Sequence, residues 1–128
     1  MSSRRILVVE DEPDIAFLVA RTLKRLPAAE TVLCDSGSEA LARADIADFD
    51  LYLLGVMMPG MDGPTLLAEI TARREAAPRA AFLTAKATGP DRQRLLATGA
   101  IDVLIKPFDP RQLLARVGEL LDLSLIHI

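Results

Sequence analysis

Five short apolar runs, separated by segments of helical periodicity, constrain this fold more than any other feature of the sequence. The runs are Ile6–Val9, Thr31–Cys34, Leu51–Leu54, Ala80–Leu83 and Ile101–Ile105. Their lengths and flanking turn residues are typical of buried strands. In the segments that follow, apolar residues recur three or four positions apart, which indicates amphipathic helices. Five strand–helix repeats predict an α/β fold in which a parallel sheet, built with right-handed crossovers, is covered on both faces.

Local sequence signals mark where several of these helices begin or end. Ser36 with Glu39 three residues later matches a capping box. Asp109 before Pro110 combines an N-cap with a first-turn proline, and Gly99 fits a helix end. The third and fourth apolar runs contain no polar residue and are predicted to be central strands. The second and fifth runs carry polar residues and are predicted to lie nearer the edges.

Composition excludes several classes of protein. The chain has 128 residues, enough for one domain with a substantial core. A net charge of −3 argues against a nucleic-acid-binding surface on this domain. No apolar run approaches the roughly 20 residues that a membrane-spanning helix needs, and no signal peptide is recognised. We therefore expect no membrane partner. The single cysteine, Cys34, has no second cysteine with which to form an internal disulfide, so we expect a reducing, cytoplasmic location.

The ends of the predicted strands carry the chemistry of the chain. Parallel strands end at one edge of a sheet, where ligands bind in such folds. The residues that follow the apolar runs include Glu10, Asp11, Gly55, Thr84 and Lys106. Carboxylate oxygens suit Mg²⁺, whereas a lysine and a hydroxyl suit a phosphoryl oxygen. We therefore expect a site for a metal and a phosphoryl group at this edge.

These segments resemble the receiver domain of bacterial response regulators, of the chemotaxis-regulator type. The resemblance rests on ILVVEDEPDI, DSGSEAL, DLYLLGVMMPGMDG, AAFLTA and GAIDVLIKPFDP, which occur in order and cover residues 4–122. It implies a doubly wound, flavodoxin-like sheet of five strands in the order 2-1-3-4-5, with five helices. It also implies a module of two-component phosphorelay signal transduction, whose partner is a sensor histidine kinase or another signalling protein of that system.

The resemblance assigns roles residue by residue. Glu10 and Asp11 are implied to be the acidic pair that holds Mg²⁺, with the backbone carbonyl of Met57 as a further ligand. Thr84 is implied to be the switch hydroxyl. Lys106 is implied to be the cation that pairs with the phosphoryl group, and the peptide bond that follows it is expected to be cis.

Two positions depart from the family pattern. Where family members carry the aspartate that accepts phosphate, this chain has Gly55, which cannot form an acyl phosphate. One metal carboxylate is lost as well, so we expect Mg²⁺ binding to be weak or absent. We expect Lys106 to turn to Glu10 or Asp11 instead. Val103 stands where many relatives carry an aromatic switch residue. The chain is either a degenerate receiver that acts through protein contacts or an altered copy of a phosphorylatable one.

The resemblance also suggests where partners bind, namely the face formed by the fourth helix, the fifth strand and the fifth helix. On this face we expect Arg92, Arg94, Val103, Arg111 and Arg116. The alternative function is that of a flavin-type small-molecule binder on the same fold. An enzyme is the least favoured class, because the only histidine, His127, lies in the tail and completes no catalytic set.

The last six residues form an uncapped apolar tail. They resemble the translation of a sequencing-library adapter, so we expect residues 123–128 to be non-native and the last helix to end near Asp122. On this hypothesis an output domain of the natural protein has been lost.

Overall fold

The computed structural model describes residues 4–86 and 88–126, which alternate strictly between strand and helix. The elements are β1 (Arg4–Val9), α1 (Pro13–Leu23), β2 (Ala29–Cys34), α2 (Gly37–Leu41), β3 (Leu51–Gly55), α3 (Gly63–Ala72), β4 (Ala80–Thr84), α4 (Gly89–Leu96), β5 (Asp102–Ile105) and α5 (Pro110–Ile126). Each predicted strand is present, and β1 and β2 begin two residues earlier than their apolar runs.

The sheet has five parallel strands in the order β2-β1-β3-β4-β5, which confirms the predicted architecture. Val9 pairs with both Cys34 and Leu54, Gly55 pairs with Leu83, and Thr84 pairs with Ile105. This register brings the carboxyl ends of the strands to a common edge. Every residue of β3 and β4 is buried, because helices cover both faces of the central strands.

Two apolar cores lie on opposite faces of the sheet. One is built with α2, α3 and α4 and includes Leu7, Leu54, Phe82 and Val103. The other is built with α1 and α5 and includes Val8, which alternates with Leu7 along β1. Since neighbouring residues of a strand point to opposite faces, one buried apolar run supplies both cores.

Side-chain hydrogen bonds cap the beginnings of α2, α3, α4 and α5. Ser36 Oγ accepts a hydrogen bond from the Glu39 backbone N–H at 3.0 Å, as the capping-box pattern predicted. Asp109 Oδ1 accepts a hydrogen bond from the Arg111 N–H at 2.9 Å. The caps Asp62 of α3 and Thr88 of α4 were not predicted, although both residue types are common N-caps.

The prediction that the last helix ends near Asp122 was wrong. The backbone of α5 continues as a helix to Ile126. The residues after Asp122 include no proline or glycine, so nothing in the local sequence ends the helix there. Whether residues 123–128 are native stays a prediction, and His127 and Ile128 lie outside the described residues.

Gly63 allows the first turn of α3 to pack against the end of β3. Its N–H donates to the Val56 carbonyl at 2.9 Å. A Cβ atom at this position would lie 2.3 Å from the Gly55 carbonyl oxygen and 3.0 Å from Cε1 of Phe82. Backbone oxygen cannot move aside as a flexible side chain does, so only glycine fits here.

We therefore expect Gly63→Ala to destabilise the fold by about 2 kcal/mol, the usual cost of overpacking a tight contact. Gly89→Ala is the matched control, because Gly89 also begins a helix but a Cβ atom there meets nothing within 4 Å. Urea unfolding of both variants measures the difference. Equal unfolding free energies for the two variants would contradict the packing role of Gly63.

Candidate functional site

The candidate site lies at the carboxyl edge of the sheet, where four strand ends carry its residues. Glu10 directly follows β1, Gly55 ends β3, Thr84 ends β4 and Lys106 directly follows β5. The Lys106 backbone N–H donates to the Thr84 carbonyl at 2.8 Å, so the ends of β4 and β5 stay joined beyond the strands. The peptide bond between Lys106 and Pro107 is cis, as expected.

A lysine held between two carboxylates forms the centre of the site. Lys106 Nζ lies 2.9 Å from Glu10 Oε1 and 2.9 Å from Glu12 Oε1. The Glu10 side chain is fully buried and that of Lys106 is only 12% exposed, whereas the Glu12 side chain is 60% exposed. The other oxygen of Glu10 accepts a hydrogen bond from the Glu12 backbone N–H at 3.1 Å. The cluster is thus buried on the Glu10 side and open on the Glu12 side.

Lys106 was expected to turn to Glu10 or Asp11, and the structure supports the first partner but not the second. Asp11 forms no ion pair with any residue that the structure describes. Glu12 takes that place, although sequence reasoning had not singled it out. The sequence feature that could have indicated Glu12 is its place in the acidic run Glu10–Glu12 directly after β1.

The electrostatics of the cluster follow from its burial. Desolvation raises the pKa of Glu10 above its ordinary value, and the hydrogen bond from Lys106 only partly offsets that rise. For Lys106, desolvation acts to lower the pKa, but the hydrogen bonds to Glu10 and Glu12 outweigh it and the pKa is raised. Lys106 is therefore held in its charged form by its two carboxylate partners.

Two oxygens of the site, Glu10 Oε1 and Asp11 Oδ1, are buried without a hydrogen bond, but only the first lies in an ion pair among the described residues, with Lys106 Nζ at 2.9 Å. Asp11 Oδ1 has no hydrogen-bond partner among the described residues. Such an atom is normally satisfied by a proton donor, water or a cation. However, no group of three or more histidine, cysteine, aspartate or glutamate side chains in the described part of the chain is arranged to hold a metal ion. The acidic pair thus fits Mg²⁺ only in part, because Glu10 is already engaged with Lys106.

Gly55 faces the acidic cluster. A Cβ atom built on Gly55 would lie 3.1 Å from Glu10 Oε1, and 3.4 Å from both Cγ and Sδ of Met58. A side chain at position 55 would therefore project toward the carboxylate that pairs with Lys106. The partly buried Met58 side chain lines this space, which the sequence did not predict.

The remaining predicted site residues take other positions. The Thr84 hydroxyl is engaged in its own loop, where it donates to the Lys86 carbonyl and accepts from the Lys86 N–H, both at 3.1 Å. Val103 is buried in the core formed with α2, α3 and α4. Met57 is 83% exposed. That its backbone carbonyl is a metal ligand stays a prediction.

The predicted partner face contains an ion cluster around Asp102. This carboxylate is 5% exposed and accepts from Arg92 at 3.3 Å, from Arg116, and from the Val103 N–H at 2.8 Å. Arg92 comes from α4 and Arg116 from α5, so Asp102 joins both helices to β5. Arg94 instead pairs with Asp91 on its own helix. Arg111 is exposed in the first turn of α5.

The same face carries a groove of about 670 Å³. Its wall includes both arginines of the Asp102 cluster, together with Val103, Phe108 and Gln112. Three of the five residues predicted for the partner face thus line this groove, namely Arg92, Val103 and Arg116.

Comparison with known proteins identifies the family. The chain matches the family model of the response regulator receiver domain over residues 6–118. The chain belongs to this family. Receiver domains of response regulators are signalling modules of two-component systems rather than typical enzymes, and the match gives no support to the flavin-binding alternative.

Individual relatives agree with this assignment. The transcriptional regulatory protein TcrA of Mycobacterium tuberculosis is 40% identical over 120 residues, which cover 94% of this chain and 47% of TcrA. The transcriptional regulatory protein ResD of Bacillus subtilis is 38% identical over 117 residues, which cover 91% of this chain and 48% of ResD. This receiver domain thus spans about half the length of the curated relatives it matches.

Solved structures agree as well. The chemotaxis protein CheY4 of Vibrio cholerae is 29% identical with a TM-score of 0.82, covering 93% of this chain and 99% of CheY4. A CheY-like receiver domain protein of Methanospirillum hungatei is 27% identical with a TM-score of 0.84, covering 99% and 100%. Among the described residues, no helix of this receiver combines the length and apolarity that a bilayer-spanning segment requires.

Lys106→Met tests the buried ion pair. Removing the lysine leaves the Glu10 carboxylate buried without a counter-charge, so we expect a loss of about 3 kcal/mol of unfolding free energy near neutral pH. Adding Glu10→Gln to that variant should restore part of the loss, because it removes the unpaired charge. Urea unfolding in a chelator-containing buffer measures the unfolding free energies of the single and the double variant.

The pH dependence of the Lys106→Met variant gives a second readout. The pKa of Glu10 is raised in the folded protein, so the folded state binds the proton more tightly than the unfolded state does. The variant should therefore gain stability as pH falls from about 8 to about 5. Lys24→Met, at an exposed lysine of the same chain, is the control and should change little. A double variant no more stable than Lys106→Met alone would contradict this account.

Proposed function

We propose that this receiver domain has Gly55 in the phosphoacceptor position and acts without holding a phosphoryl group. An aspartyl phosphate needs a carboxylate oxygen that attacks phosphorus, and glycine offers none. On this proposal the domain signals through protein contacts, and its conformation responds to partner binding because no phosphoryl group is available to shift the population.

The observation that carries the proposal is the direction in which position 55 points. A Cβ atom there approaches Glu10 Oε1 to 3.1 Å, and the same oxygen lies 2.9 Å from Lys106 Nζ. An aspartate at position 55 would therefore enter the cluster formed by the acidic pair and the lysine. That is the arrangement which the resemblance implies for a phosphoacceptor. With glycine in this position, Glu12 supplies the second anion of Lys106.

The roles of Thr84, Val103, Met57, Glu10, Asp11 and Lys106 remain part of this proposal. Receiver domains generally bind Mg²⁺ at the phosphorylation site, and here Glu10 and Asp11 would hold it. The metal would screen negative charge if a phosphoryl group were present. We propose weak binding, because position 55 contributes no carboxylate and Glu10 is engaged with Lys106.

For partners, we infer a sensor histidine kinase or another two-component signalling protein, bound at the groove between β5, α4 and α5. Arg92 and Arg116, which line the groove while they hold Asp102, would contact this partner, with the exposed Arg94 of α4 and Arg111 of α5 as further contacts. The relatives TcrA and ResD are transcriptional regulatory proteins. We propose that this receiver controls an output module of that class.

Phosphoryl transfer from acetyl phosphate tests the proposed function. The protein with Gly55 should show no mass gain with acetyl phosphate and Mg²⁺ by intact-protein mass spectrometry. Gly55→Asp should gain one phosphoryl group, because the added carboxylate lies beside Glu10, Asp11 and Lys106. Gly55→Asn is the matched control, similar in size but without the nucleophile. A phosphorylated aspartate in the protein with Gly55, or equal labelling of the Asp and Asn variants, would contradict the proposal.

Metal binding gives an independent prediction. Gly55→Asp should bind Mg²⁺ about tenfold more tightly than the protein with Gly55, since it adds a third carboxylate ligand. Without metal, its added carboxylate lies against Glu10, and the repulsion should lower the unfolding free energy. Mg²⁺ should recover that loss in Gly55→Asp and not in Gly55→Asn. Titrations followed by thermal unfolding measure both effects, and equal Mg²⁺ responses in the two variants would argue against a metal site here.

A further inference from the structure

A groove between α1 and β2 combines exposed apolar side chains with unpaired cations. It has a volume of about 580 Å³. It lies at the β2 edge of the sheet, whereas the predicted partner face lies at the β5 edge. Phe17 of α1 is 64% exposed and Leu33 of β2 is 43% exposed, and both line the groove. Two large apolar side chains that share one groove are more informative than scattered exposed ones.

The groove runs along an open edge of the sheet. β2 is one of the two edge strands of the sheet, and among the described residues it pairs only with β1. Ala29, Thr31 and Leu33 alternate along β2 and line the groove. An edge strand with free backbone donors and acceptors can accept an added strand from another chain. The site therefore offers backbone pairing at its edge and side-chain contacts on one face.

The charge of the groove selects the kind of segment that fits. Arg21 and Lys24 line it, and neither forms an ion pair or side-chain hydrogen bond within the described part of the chain. No acidic side chain lines it. Since α1 ends at Leu23 and the chain then enters β2 at Ala29, Lys24 lies near the Ala29 end of the groove. The apolar pair Phe17 and Leu33 lies toward the other end.

We propose that this groove and the free edge of β2 bind an extended segment of a partner protein, which adds as a strand beside β2. On the face toward α1, the segment carries an apolar side chain against Phe17 and Leu33. On the same face, two and four residues away, it carries acidic side chains that pair with Arg21 and Lys24.

A second copy of this chain fits the groove less well. In a symmetric dimer the same patch meets itself, so the cations of one copy approach the cations of the other. A partner strand with acidic residues removes that repulsion and satisfies the backbone edge at the same time.

Peptide titration tests the proposal on the full chain. The probe is acetyl-Thr-Leu-Thr-Glu-Thr-Glu-Thr-amide, whose leucine and two glutamates share one face of a strand. The reversed sequence covers the opposite strand direction. We expect one of the two to shift the backbone amide signals of residues 29–34 and of α1 in ¹H–¹⁵N spectra. Binding should weaken as salt rises from about 0.05 M to about 0.5 M, because exposed ion pairs are screened.

Matched variants separate the contributions. Arg21→Glu with Lys24→Glu should weaken binding about tenfold, because two attractive pairs become repulsive. Arg25→Glu is the control, since this arginine is also exposed on the surface but does not line the groove. Phe17→Ala should weaken binding at all salt concentrations. These side chains are exposed, so the unfolding midpoints of the variants should stay near that of the unsubstituted protein.

Several results would overturn the proposal. These are the absence of shifts in β2 with both peptides, equal binding of a peptide with lysines in place of the glutamates, or unchanged binding by the Arg21→Glu, Lys24→Glu variant. Sedimentation with phosphatidylserine vesicles in place of peptide binding would assign the groove to a membrane surface. A concentration-dependent dimer that Leu33→Glu abolishes would assign it to self-association.

Discussion

A sheet in which all five strands run parallel must be covered on both faces, and the rest of this structure depends on that requirement. Both faces of β3 and β4 are buried, so their backbone polar groups are paired within the sheet. The chain must therefore return over the sheet after each strand. As a result the four strand ends that carry Glu10, Gly55, Thr84 and Lys106 meet at one edge.

Burial at that edge decides how its charges behave. Water is largely excluded from Glu10, so its carboxylate needs a close counter-charge, and Lys106 supplies one at 2.9 Å. Lys106 in turn has capacity for a second anion, because an ammonium group donates three hydrogen bonds. The exposed side chain of Glu12 supplies that second anion, with Oε1 at 2.9 Å from Lys106 Nζ. Lys106 is thus paired with one buried and one exposed carboxylate.

Much of the fold was predictable because local and tertiary preferences agree. The apolar runs matched the strands within two residues at each end, and the predicted N-cap at Ser36 was confirmed, although Glu39 accepts from the Asp35 N–H instead of the Ser36 N–H. The end of α5 was predicted wrongly because the expectation rested on resemblance, whereas the local sequence contains no helix-breaking residue. For the site, the strand-end rule brought Glu10 and Lys106 together correctly. The rule could not rank Glu12 against Asp11, because that choice depends on side-chain reach and burial.

Two further features lay beyond any sequence rule. Asp102 was interpreted as a polar interruption at an edge strand, but its carboxylate is buried between arginines of α4 and α5. The groove beside β2 depends on how α1 lies across the sheet, which leaves Phe17 and Leu33 exposed together. In both cases residues far apart in the chain become neighbours only after the helices have packed.

The amino-acid sequence by itself determined the order of strands and helices, the residues at the strand ends and the absence of a side chain at position 55. These features depend on residue identity and periodicity alone. Only the tertiary structure decided which carboxylates pair with Lys106, that position 55 faces Glu10, and that Arg21 and Lys24 line the groove beside β2 without an ion pair to any described residue. Those outcomes depend on distances and burial between separate elements, and the close packing of helices on the sheet sets both.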